Sequence, residues 1–273
     1  MLTAEEKNRL AEIFRREEIR ELTVATTQRI SRETGLSIRA IEYFALEKGI
    51  VPRRYARSVG TFTLDGQKKL LQSRVMVVGL GGLGGYVLEE LVRAGVGEIV
   101  GVDGDVFDET NLNRQLLAGE RNLGGRKGEE AVKRAAEING AVKVTGFSAR
   151  VEHLPAAAWD GVELVFDCLD SIQARLFLEE KAESLGVPVI HGAIGGWYGQ
   201  VGIVWPGNRL LTKIYREKKS GIEQALGNPP FTPAVAASYM VALGIKYLLG
   251  QSERENALYF FDLENMEFEK ICF

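Results

Sequence analysis

Residues 75–103 read VMVVGLGGLGGYVLEELVRAGVGEIVGVD: an apolar strand, a glycine turn, a helix, a second strand and an acid. Gly79, Gly81 and Gly84 stand in the spacing G-x-G-x-x-G between strand and helix, with Gly82 inside the same turn. The first glycine permits the tight turn and the second lets the backbone approach a phosphate. The third lets the helix pack closely on the strand, and the helix N-terminus presents free N–H groups to an anion. Asp103 ends the next strand, about twenty residues on, where a carboxylate accepts from a ribose hydroxyl. This unit implies an adenine nucleotide. It leaves the choice of nucleotide open.

The next stretch narrows that choice. Residues 104–115, GDVFDETNLNRQ, place Asp105, Asp108, Asn111, Asn113, Arg114 and Gln115 beside the ribose acid. A hydride carrier has no use for so dense a polar run. Arg114 can fork onto phosphate oxygens, and Asn111 can fix a ribose or phosphate. Asp105 and Asp108 read equally well as solvated loop acids. Lys127 opens a helix in GRKGEEAVKRAAEIN, where its charge adds to the helix N-terminus. Asp170 follows the apolar strand LVFDCLD at the carboxyl edge, where such sheets bind ligands, and suits Mg2+ bridging phosphates. Arginine, lysine and a metal acid around one phosphate site speak for a triphosphate under attack. Arg126 reads as a surface charge, Asp167 as an internal hydrogen-bond acceptor and Cys168 as a small buried hydrophobe. His153 and His191 lack metal-ligand spacing, and core packing suits His191 best.

The pattern around these residues alternates strand and helix from Leu70 onward, implying a Rossmann-like, doubly wound, mainly parallel α/β sheet. Strands are expected at 75–79, 98–103, 142–148, 164–168 and 188–193, and helices at 83–94, 127–138 and 171–185. QVGIVWPG reads as a further strand, residues 207–232 as loop, and the last seventeen residues as a hairpin. The 273 residues suffice for one large α/β domain with an appendage. A formal charge of −3 excludes a polyanion binder acting by its net field. Two cysteines, Cys168 and Cys272, cannot form a four-cysteine zinc site. The charged N-terminus shows no signal peptide, so a cytoplasmic protein is expected. The apolar run from Pro233 to Leu249 carries Ser238 and Lys246 and reads as a buried helix rather than a membrane span.

Residues 1–52 read as a separate helical domain, and 53–273 as the nucleotide domain with a C-terminal helix and hairpin. Thr3 and Glu6 form a capping box for a helix through Arg16. Helices from Val24 to Glu33 and from Ser37 to Lys48 flank the turn at Gly35, a helix-turn-helix outline. The last of these is neutral, and its stripe of Ile38, Ile41, Phe44 and Ala45 favours packing over DNA binding.

RRYARSVG, VVGLGGLGG, VDGDVFDETNLNRQ, GRKGEEAVKRAAEIN, DCLDS and HGAIGGWYGQVGIV occur in that order over residues 53–250. In this order and spacing they resemble the MoeB/ThiF/HesA family, relatives of the ubiquitin-activating enzymes. The resemblance implies adenylation, with Mg-ATP, of the C-terminal Gly-Gly carboxylate of a small ubiquitin-like sulfur carrier. Such carriers serve molybdenum or tungsten pterin, thiamine or similar sulfur pathways. Carried over by position, Asp103 resembles the ribose ligand, with Gly79, Gly81, Gly82, Gly84 and Asp105 around the nucleotide. Arg114 and Lys127 resemble the phosphate cations supported by Asn111 and Gln115, and Asp170 the magnesium ligand. Arg57, in R-Y-x-R, resembles the arginine that family homodimers insert into the partner's ATP site, so a homodimer is expected.

Three departures from the family pattern stand out. Paired C-x-x-C motifs are absent, so no structural zinc is expected. The stretch 207–232 holds no cysteine, which favours adenylation without covalent capture of the carrier. Ser171 follows Asp170 where many members have asparagine. Competing readings are adenylation of a tRNA base or peptide, an NAD-dependent oxidoreductase, and a nucleotide-sensing DNA-binding regulator.

Overall fold

The computed structural model describes residues 2–215 and 226–272. Among the described residues eight strands form one sheet in the order β3-β2-β1-β4-β5-β6-β7-β8. Five are parallel: β1 (Arg74–Val78), β2 (Glu98–Val102), β3 (Lys143–Phe147), β4 (Leu164–Asp167) and β5 (Val189–Gly195). Three antiparallel strands extend the β5 side: β6 (Tyr198–Val204), β7 (Ala257–Asp262) and β8 (Glu267–Cys272). The chain leaves β1 toward β2 and β3, then returns to the other side of β1 as β4. That reversal opens a crevice at the carboxyl ends of β1 and β4, the topological switch point.

Alternation along the strands decides which helix covers which face. Val75 and Val77 of β1 join one apolar cluster with Val87, Leu88 and Leu91 of α5 (Gly82–Ala94). Ala131 and Ala135 of α6 (Lys127–Ile138) and Met240 of α9 (Phe231–Leu248) belong to the same cluster. Met76 and Val78 face the opposite way, toward Leu178 of α7 (Ile172–Ser184) and Leu210 of α8 (Leu210–Tyr215). Both faces of the parallel half are therefore covered, as its near-continuous apolar strands require.

Helix α9 is long and apolar enough by composition to cross a membrane, with a mean hydropathy of 1.2. It packs instead with the β-sheet cluster, Ala236, Ala237 and Met240 being fully buried. Gly192 of β5 takes the Met240 sulfur, which would lie 2.3 Å from any added Cβ.

The observed elements depart from the sequence expectation in three places. Helix α4 (Val59–Gln72) precedes β1 and breaks at Thr63, whose φ of 65° is not helical. There the Thr63 hydroxyl accepts from the Gly66 N–H at 3.2 Å, restarting the helix as a cap does. The stretch 207–232, expected as loop, contains the short helix α8 and the start of α9. Its six residues gave no periodicity to read, and the remainder of that expectation, 216–225, lies outside the described residues. Strand β5 also runs on to Gly195, two residues past its expected end, and turns directly into β6.

Three helices precede this domain: α1 (Ala4–Arg16), α2 (Val24–Thr34) and α3 (Ile38–Glu47). Thr3, Thr23 and Ser37 each cap a helix N-terminus by accepting a backbone N–H, and Thr3 with Glu6 completes the expected capping box. Leu10, Ile13, Phe14, Ile30, Ile41 and Phe44 form their shared core, with the Phe14 and Phe44 rings edge-to-face at 5.3 Å. The opposite side of α3 meets the sheet domain. Ile38 and Leu46 pack near Tyr55, Leu71 and Ala141, and Arg39 pairs with Glu98 at 2.7 Å. The apolar stripe of α3 is thus spent on packing.

Candidate active site

Strand β1 ends in a turn that no side chain could enter. Gly79 has φ 87°, and a Cβ there would lie 2.6 Å from the Cys168 carbonyl oxygen. A Cβ on Gly84 would lie 1.7 Å from the Gly79 carbonyl oxygen, so this glycine serves helix-on-strand contact. Gly81 differs: its nearest neighbour is the Gln115 amide at 3.4 Å, and it borders open space. Helix α5 begins without a side-chain cap. Its first N–H groups are left for a ligand, and the helix dipole favours an anion there.

A cleft of about 1080 Å³ opens over this turn. Gly79, Gly81, Gly82, Asp103, Asp105, Arg114, Gln115, Lys127 and Asp170 all line it. These residues come from the ends of β1, β2 and β4, the segment after β2 and the start of α6. Gly84, Asn111 and Arg57 do not line it. Gly84 packs beneath the turn. Asn111 is buried, with its oxygen accepting from the Asp108 N–H at 3.1 Å, so it holds the loop that carries Arg114. Arg57 lies on the surface and forms no hydrogen bond or ion pair with the described residues.

Asp103 accepts from the backbone N–H groups of Leu80 at 2.7 Å and Asp105 at 2.8 Å. It is thereby tied to the glycine turn. Burial raises its carboxyl above the ordinary range, and nearby Lys127 and the two N–H groups oppose that rise. The Lys127 ammonium is itself buried, 3.9 Å from Asp103 and 3.5 Å from the mostly exposed Asp105. Arg114 donates to the Thr110 carbonyl at 3.0 Å and to Asn113 at 2.9 Å, which braces its guanidinium at the cleft. Gln115 is buried, and its Oε1 has no hydrogen-bond partner among the described residues. An unsatisfied buried acceptor in a ligand cleft is a place prepared for a donor.

The cleft also contains Arg150, Glu152, Gln173 and Arg175, which sequence reading did not single out. Arg150 and Glu152 follow β3 by a few residues, a strand end that the sheet order aims at the same edge. Arg175 carries the clearest signal available from sequence, a cation one turn into the helix that follows Asp170. Asp167 and His191 are fully buried, with the His191 Nδ1 2.7 Å from Asp167. Both match the internal roles read for them. Cys168 is buried and desolvation pushes its thiol up, which fits the small buried hydrophobe read for it. Among the described residues no three His, Cys, Asp or Glu side chains converge on one point.

This geometry accepts a nucleotide triphosphate. The glycine cradle and the uncapped start of α5 border the same cleft as Asp103, Arg114, Gln115, Lys127 and Asp170. Comparison with known proteins points the same way. A model described as the ThiF family matches residues 55–273. The chain is similar to the SAMP-activating enzyme E1 of Haloferax volcanii, 32% identical over 219 residues covering 76% of this chain and 79% of that one. It is also similar to the molybdopterin-synthase adenylyltransferase of Salmonella typhimurium, 34% identical over 172 residues, 60% of this chain and 69% of the other. Longer relatives named for both adenylyltransferase and sulfurtransferase activity are covered over 34–40% of their length. Among solved structures, E. coli MccB with ATP shares the fold, with a TM-score of 0.67, 20% identity, and coverage of 85% of this chain and 75% of that one. By the span of the family match and the identity to these relatives, the chain belongs to the ThiF family.

Proposed function

We propose that this protein uses ATP to adenylate the C-terminal carboxylate of a small ubiquitin-like sulfur-carrier protein ending in Gly-Gly, releasing pyrophosphate. The gathering of Asp103, Arg114, Lys127 and Asp170 around the uncapped start of α5 supports this chemistry. So do the relatives, one named for activating SAMP and the other for adenylylating molybdopterin synthase.

The carrier carboxylate is itself the nucleophile, so no protein base is needed. One of its oxygens bonds to the α-phosphorus as the bond to the bridging oxygen breaks, and pyrophosphate carries that electron pair away. Catalysis reduces to alignment and to stabilising charge on the transferring and leaving groups. Asp103 orients the ribose, the α5 N–H groups and Lys127 receive phosphate charge, and Arg114 clamps the leaving pyrophosphate. Asp170 would hold a magnesium ion, which would supply further positive charge at the phosphates. Arg57, exposed and without a hydrogen bond or ion pair to the described residues, fits the role of a residue lent to the cleft of a second copy in a homodimer.

Carrier-dependent ATP–pyrophosphate exchange, run with a panel of Gly-Gly-ending proteins, tests this reading. Wild-type protein should exchange with one carrier, and Asp170→Ala should lose at least about 100-fold. Exchange with none, in protein that still binds Mg-ATP, would move the acceptor to another class. A mixed dimer of Arg57→Ala and Asp170→Ala chains should recover one working cleft in two. No recovery would overturn the lending of Arg57 across the interface.

A further inference from the structure

Beneath the cleft floor lies a closed polar ring that phosphate chemistry does not use. Its starting point is Asp167, the last residue of β4, whose Oδ1 accepts from the Leu169 N–H at 3.1 Å. Its Oδ2 accepts from His191 Nδ1 at 2.7 Å. The other imidazole nitrogen, Nε2, lies 3.1 Å from the Tyr215 hydroxyl at the end of α8. That hydroxyl also accepts from Arg175 Nη1 at 2.9 Å and from Gln200 Nε2 at 2.7 Å. Arg175 closes the ring. Its Nε donates to the Leu169 carbonyl at 3.0 Å, its Nη2 donates to the same oxygen, and Nη2 also reaches the Gly192 carbonyl at 3.3 Å.

Leu169 is therefore gripped from both sides, its N–H by Asp167 and its carbonyl by Arg175. That carbonyl belongs to the peptide unit leading into Asp170. Helix α8 is anchored at its other end as well. Glu179, one turn beyond Arg175 on α7, accepts from the Leu211 N–H at 2.7 Å and the Thr212 N–H at 2.9 Å. Arg175 and Glu179 thus hold the two ends of α8 from the same face of α7, while the first turn of α7 lines the cleft.

We propose that Arg175 is the positioning residue for Asp170, and that Tyr215 holds Arg175 in that role, so the docking of α8 sets the aim of the Asp170 carboxylate. This rests on Asp170 being the metal-binding acid proposed above. Full-length wild type, Tyr215→Phe and Arg175→Lys are compared in two measurements, neither of which needs a carrier. Electron paramagnetic resonance follows free Mn2+ to give its affinity for the protein–ATP complex, and mass spectrometry follows hydrogen exchange at the Leu169 amide. In Tyr215→Phe, Mn2+ affinity should fall about tenfold or more, as for other residues that orient a ligand. Metal-free ATP affinity should hold, and the Leu169 amide should exchange faster. Unchanged Mn2+ affinity with unchanged exchange would overturn the proposal, as would equal losses of Mn2+ and metal-free ATP binding. If Arg175→Lys does not fold, Tyr215→Phe decides alone, since it keeps the aromatic side chain and removes one oxygen. If wild type takes up no Mn2+ with ATP, the metal reading of Asp170 falls. Faster Leu169 exchange in Tyr215→Phe would still uphold the positioning, and unchanged exchange would still overturn it.

Discussion

Two aspartates flank the end of β1, one register step apart, and live in opposite circumstances. Val78, the last residue of β1, pairs with Val102 just before Asp103 on one side and with Asp167 on the other. Asp103 shares its surroundings with a cation, an exposed acid at Asp105 and the unsatisfied oxygen of Gln115. Asp167 is fully buried, and its oxygens meet Leu169 and His191 inside the protein. One step of register thus separates an aspartate that lines the ligand cleft from one enclosed by the protein's own polar groups. Satisfied buried networks rigidify, and unsatisfied ones wait for a partner.

The glycine turn offers the hardest break of that contrast. Gly84→Ala puts a methyl group 1.7 Å from the Gly79 carbonyl oxygen, which only backbone movement can relieve. We expect a loss above about 4 kcal/mol, seen as a collapse of the cooperative denaturant transition. Gly81→Ala meets nothing nearer than the Gln115 amide at 3.4 Å. It should fold with a near-normal midpoint and lose ATP affinity, because its methyl stands where phosphate would lie. A stable, fully active Gly84→Ala protein would show that close packing of α5 on β1 is dispensable.

Lys127→Ala comes next, since it removes charge from the open side alone. Exchange should fall by about 100- to 1000-fold in kcat, with Lys127→Arg recovering part of it. The same substitution withdraws the cation that opposes the burial-driven rise of the Asp103 carboxyl. Asp103 should then hold its proton to higher pH, and the acid limb of the residual rate should move upward. An unmoved acid limb would separate Lys127 from Asp103 and leave it a phosphate contact only.

How much of this contrast could be read from the chain depends on distance along it. The open side is built from local signals. Gly79, Gly81 and Gly84 lie within six residues, Asp103 ends a strand that the helix period locates, and Lys127 opens a helix whose bounds are as expected. The closed side joins His191 to Asp167 across 24 positions and Tyr215 to Arg175 across 40. No periodicity marks such partners. Asp167 and His191 could be read as internal, but Tyr215 sat in a stretch with no helical pattern, so α8 and its hydroxyl went unseen. Asn111 has a structural contact that its sequence neighbours do not announce. Its place beside Arg114 suggested a ligand, whereas its amide folds back on Asp108 to shape the loop. Helix α4 escaped notice because Thr63 interrupts its period.

The smallest effect tests whether the closed side is held neutral. Burial lowers the proton affinity of His191 below the ordinary imidazole value, against the opposing pull of Asp167. Arg175, also packed against it, favours the neutral form, and Glu179 opposes. The unfolded chain therefore binds a proton at this position more readily than the folded one as pH falls. By linkage, stability is full above about pH 6.5 and is lost as pH drops below it, by at most about 1.4 kcal/mol per pH unit for one group. The sequence holds two histidines, so the assignment can be made by substitution. Denaturant midpoints measured from pH 7.5 to 5.5 should decline less steeply in His191→Gln than in wild type, although the variant is less stable at pH 7.5. A decline steeper in His191→Gln than in wild type would mean that His191 enters the folded protein already protonated. The Tyr215 hydroxyl would then have to accept from the imidazole in place of donating to it, and the ring would be an ion pair with Asp167 rather than a neutral brace.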